Sequence, residues 1–72
     1  MMEHVRISVS SPPDRERLVA EVFLDDIQWA EVNQESGDLE VEFYQRPDGK
    51  PWRIPFAAAI DALLRAKAEL HG

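Results

Sequence analysis

Read outward from Ser36-Gly37, the chain carries apolar residues at matching distances on both sides, and this symmetry constrains its fold more than any other feature. With Ser36-Gly37 as a two-residue loop, Glu35 pairs with Asp38, Val32 faces Val41 and Ala30 faces Phe43. Apolar side chains then meet across the ladder, and a slip of one residue would turn all of them to the wrong face. The pattern predicts two hairpin strands, 27–34 and 39–44. The second of them buries Leu39, Val41 and Phe43 and exposes Glu40, Glu42 and Tyr44.

The rest of the chain extends the meander. Val5, Ile7 and Val9 alternate with His4, Arg6, Ser8 and Ser10, which gives a first strand over 4–10. Ser11-Pro12-Pro13-Asp14 breaks it, because proline has no amide proton for a ladder. Residues 17–24 are apolar on both faces, as in a central strand. Asp25-Asp26 is short and polar enough for a tight turn into the third strand. After the loop Arg46-Pro47-Asp48-Gly49-Lys50-Pro51, a helix is predicted over 55–71, with Pro55 in its first turn. Phe56, Ala59, Ile60, Leu63 and Leu70 follow helical spacing, and only Lys67 interrupts the apolar stripe. The order ββββα predicts one α+β domain over 1–72, a four-stranded antiparallel sheet with one amphipathic helix on one face.

A chain of 72 residues has room for one two-layer core and none for a second lobe closing over a deep cleft. With no cysteine, packing alone must hold it. Met-Met-Glu-His-Val-Arg lacks the basic and apolar regions of a secretion signal, and no apolar run approaches membrane-spanning length. A cytoplasmic protein is expected. The two histidines, His4 and His71, stand at opposite ends with no ligand or acid/base partner at a useful spacing. Nucleophile motifs and phosphate-binding glycine loops are missing as well. No catalytic, cofactor-binding or metal-binding residue is therefore expected, and the protein is read as a non-enzyme.

Charge narrows the choice of partner. Eight Lys+Arg against fourteen Asp+Glu give a net charge of −6. Nucleic acid and anionic lipid are disfavoured, since both attract cationic surfaces. The imbalance is local: between Arg17 and Arg46 stand Glu21, Asp25, Asp26, Glu31, Glu35, Asp38, Glu40 and Glu42, with no Lys or Arg. In the hairpin register Glu31 lies opposite Glu42, an unfavourable pairing unless Arg6, Arg53 or a basic partner compensates. The same register puts Trp29 beside Tyr44 on the face away from the helix. If Asp25-Asp26 is a two-residue turn, that face also gathers Val22, Leu24 and Ile27, unless a one-residue bulge rotates a strand. Trp52 is expected to cap the core. The expected interaction surface is thus Ile27, Trp29, Glu31, Glu42 and Tyr44, facing a protein partner or a second copy of the chain.

The stretch from Val19 to Leu70, with Glu31-Val32-Asn33-Gln34-Glu35 before a glycine turn and Tyr44-x-Arg46-Pro47-Asp48-Gly49-x-Pro51-Trp52 before an Ala/Leu helix, resembles small bacterial domains of unknown function. In size and acidity the chain is also similar to immunity proteins of bacterial toxin systems. The second resemblance implies an acidic inhibitor of a basic protein and transfers no individual residue.

Overall fold

A computed structural model describes residues 4–13 and 16–71. Asp14 of the predicted break, the residues before His4 and the terminal Gly72 lie outside them. The elements run β1 (Val5–Ser10), β2 (Val19–Leu24), β3 (Ile27–Asn33), β4 (Glu40–Phe43) and α1 (Phe56–His71). All neighbouring strands are antiparallel, and their spatial order β1-β2-β3-β4 is their sequence order. The α+β meander with one C-terminal helix stands as expected.

Both hairpin turns show why these residues turn where they do. Asp25 and Asp26 have φ of 50° and 68°, the pair of left-handed residues that a type I′ turn needs to match strand twist. Aspartate tolerates this conformation better than most residues with a side chain. The Asp25 carboxylate also accepts a hydrogen bond from the His4 amide at 3.1 Å, while the Asp25 amide donates to the His4 carbonyl at 2.9 Å. The second turn is wider than a two-residue loop. Gly37, at φ 95°, donates its amide to the Gln34 carbonyl at 3.0 Å. The register beyond it is nevertheless the expected one, with Val32 opposite Val41, Glu31 opposite Glu42 and Ala30 opposite Phe43.

The expected position of Trp29 is corrected by a bulge. Val22 pairs with Ala30, but Phe23 pairs with Gln28, so β3 advances two residues while β2 advances one. Trp29 is the extra residue, and the kink turns it to the same side as Ala30. Its side chain is 6% exposed and belongs to the core with Ala20, Val22, Leu24, Ala30 and Val32. Its ring lies 5.4 Å from that of Phe43, tilted at 52°. Ile27, opposite Leu24, returns to this side too. Neither Trp29 nor Ile27 shares a face with Glu31, Glu42 and Tyr44.

The helix is laid over β2, with β1 and β3 to either side. Ala62 and Ala66 are its fully buried residues, and Ala59, Leu63 and Leu70 pack beside them. Small side chains at the centre let helix and sheet approach closely, and their cost is that the helix buries little apolar surface itself. Among the described residues, α1 does not pack over β4. The expectation that Leu39, Val41 and Phe43 are buried is corrected accordingly: all three are exposed, Phe43 by 61%. They face the helix side of the sheet, and the helix stops one strand short of them.

Candidate functional site

The face without the helix carries the acidic row. Glu21 pairs with Glu31, and Glu31 with Glu42, so three carboxylates stand abreast on β2, β3 and β4. Alternation puts Asn33 and Tyr44 on the same face. Glu31 is only 5% exposed, and Asn33 is buried beside it. The Asn33 amide donates to Glu31 at 3.2 Å and reaches Glu42 at 3.5 Å, while the Tyr44 hydroxyl donates to Glu31 at 3.3 Å. Neutral donors thus sit between like charges, which is how buried polar groups are kept hydrogen-bonded. On the β1 side the Ser10 hydroxyl donates to Glu21 at 3.2 Å. Arg6, expected near the acidic row, places its guanidinium 4.1 Å from the centre of the Phe23 ring, its cross-strand neighbour.

Of the residues expected to form one surface, the structure brings Glu31, Glu42 and Tyr44 together and separates Trp29 and Ile27 from them. Val19 is also buried on the acidic face, and Glu35 ties the β1–β2 connection across to β3 by accepting the Glu16 and Arg17 amides at 3.0 and 3.1 Å. At its centre the acidic face is closed. Its accessible carboxylates are at the β4 margin, Glu40 and Glu42.

Basic residues collect at the other end of the fold. An open recess of about 910 Å³ has Leu24, Ile27 and Ile54 as its apolar lining, with Trp52, Arg46 and Arg53 among the residues around it. The Trp52 indole donates to the Tyr44 carbonyl at 2.8 Å, and its ring packs against the core, the expected capping role. Arg46 lies 5.2 Å from that ring and grips Asp48 through two hydrogen bonds of 3.1 and 2.9 Å. The hydrogen bond with Arg46, aided by the Lys50 amide, holds the Asp48 carboxyl below its ordinary value of 3.8 and raises Arg46 in turn. A depressed carboxylate contributes stability that is present at neutral pH and lost as acid carries the solution through its own midpoint. In a carbon-detected NMR titration Asp48 should titrate below 3.8, and Arg46→Gln should move it upward. A midpoint unchanged by that substitution would show that the ion pair does not form in solution.

The third surface lies between β4 and α1, and sequence reasoning did not single it out. Phe56, Ile60 and Leu64 repeat every four residues on one flank of the helix, exposed by 81%, 42% and 60%. His71, three turns beyond Ile60 on the same flank, meets Gln34 just past β3 at 2.6 Å. That contact places the stripe on the β3 side of the helix, and Leu39, Val41 and Phe43 lie bare on β4 beyond it. A signal was present in the sequence: the apolar stripe of the helix is broader than Ala62 and Ala66 need to cover the sheet.

Among the described residues, no group of three or more His, Cys, Asp or Glu could hold a metal ion, and no helix is long and apolar enough to cross a membrane. Comparison of the chain with protein families, curated proteins and solved structures finds no match, so its surfaces carry the functional reading.

Proposed function

We propose that this chain is a small, non-catalytic protein-binding module acting in the cytoplasm, and that it binds through the apolar step between β4 and α1. The observation that supports this reading is the exposure of six large apolar side chains, Leu39, Val41, Phe43, Phe56, Ile60 and Leu64, on a chain of 72 residues. Contiguous apolar surface beyond a few hundred Å² is uncommon on soluble monomers and marks protein or membrane contact. The net charge of −6 favours protein over anionic lipid.

A photo-reactive residue placed at position 60 in cells tests it. Covalent protein adducts are expected there and not at position 65, which lies on the opposite flank of the helix. Equal labelling at both positions, or none, would overturn the reading.

A second reading is supported by the row Glu21–Glu31–Glu42: an acidic inhibitor of a basic protein, as the likeness to immunity proteins implies. It predicts adducts at position 42 that weaken as salt screens the approach of a basic partner. Labelling at 42 that is indifferent to salt would count against it.

A further inference from the structure

We infer that the occupant of the apolar step is a second copy of the chain, in a two-fold dimer whose axis runs parallel to the strands. The inference rests on the binding-module reading above and names its partner.

The shape of the molecule suits a second copy. A helix lying on a sheet stands about 10 Å above it. Because α1 covers β1 to β3 and leaves β4 bare, the molecule has a raised half and a lowered half on one side. A two-fold axis along the step places each helix over the partner's β4. The two helices then lie side by side in a layer between two sheets. The two apolar stripes also match in length: Phe56 to Leu64 rises about 12 Å along the helix, and Leu39 to Phe43 about 13 Å along the strand. Ile60 and Val41 are the middle members of the two stripes, so the halves meet centre to centre.

The exposed apolar area suits a second copy as well. If a large side chain has roughly 150–200 Å² to bury, the observed exposures leave on the order of 500–650 Å² of apolar surface on these six residues. A standard protein interface takes about 800 Å² from each partner. The six side chains therefore supply most of a stable interface, and the margins of the patch supply the rest. Self-association also offsets the small apolar area that α1 buries through Ala62 and Ala66.

A competing dimer, in which the free edges of two β4 strands pair, is disfavoured by charge. Centred on Val41, antiparallel edge pairing would set Glu40 against the partner's Glu42 twice, and opposed like charges destabilise a ladder. The face-to-face arrangement leaves those carboxylates apart.

Sedimentation equilibrium should give twice the 8.2 kDa of one chain. The double variant Phe56→Glu, Leu64→Glu should return the mass to one chain while leaving the circular dichroism spectrum unchanged, since both side chains are largely exposed. The chain has no cysteine of its own, so the double variant Ile60→Cys, Val41→Cys should give a disulfide-linked dimer on mild oxidation, and Arg65→Cys with Val41→Cys, whose first position faces away, should not. A wild-type mass of one chain at millimolar concentration overturns the dimer, as does a dimer that both variants leave intact. If the wild type is a monomer and position 60 still labels a different protein in cells, the second copy fails while the binding module stands. If position 60 labels nothing, both fail.

Discussion

Replacing Trp29 with alanine is expected to abolish cooperative unfolding at room temperature. The side chain is 6% exposed, fills the core at the β3 bulge and meets the Phe43 ring at a tilt. Truncating a buried tryptophan to alanine costs about 3–5 kcal/mol, and a core of this size rarely supplies more than about 3–5 kcal/mol in total. The two magnitudes are equal, so the variant should populate the unfolded state heavily. Urea titration followed by circular dichroism measures this. Trp29→Phe, which keeps a ring against Phe43, should retain a cooperative transition. If Trp29→Ala unfolds at the wild-type urea midpoint, the indole is not in the core and the bulge is misplaced.

Asn33→Ala should produce the second largest loss, and from the opposite face. Asn33 is 3% exposed, and its amide lies between the Glu31 and Glu42 carboxylates. Its own carbonyl oxygen accepts the Glu35 amide at 3.3 Å, which orients the amide nitrogen toward the pair. Removing one partner of a buried hydrogen bond costs about 1–3 kcal/mol. A double-mutant cycle with Glu42→Gln separates bridging from packing. If Asn33 holds two like charges together, its loss should matter less once Glu42 is neutral. Strict additivity would show that the amide only fills space.

These two residues also mark where the sequence was readable and where it was not. The β3–β4 register followed from Val32, Val41, Ala30 and Phe43 because a period-two pattern admits one pairing. The face of Trp29 did not follow, because Ala30 and Val32 are in one phase and Ile27 and Trp29 in the other. A regular strand cannot turn both pairs inward. The bulge lets it do so, and the phase break is its only local trace. The exposure of β4 was illegible for a different reason. Alternation shows that Leu39, Val41 and Phe43 share a face, yet whether that face is covered depends on how far one helix reaches across four strands. The acidic row was legible as a row, whereas the burial of Glu31 and Asn33 within it was not, because alternation assigns a face and not its cover.

The coincidence of spatial and sequence order, β1-β2-β3-β4 and then α1, governs how the chain assembles during synthesis. Each hairpin closes between neighbours in sequence, so little loop entropy is spent before a strand finds its partner. Residues 56–71 are made after all four strands, so the apolar side of the sheet, with Ala20, Val22, Ala30 and Val32, lacks its cover until the helix docks. Until then that side is open to misassociation.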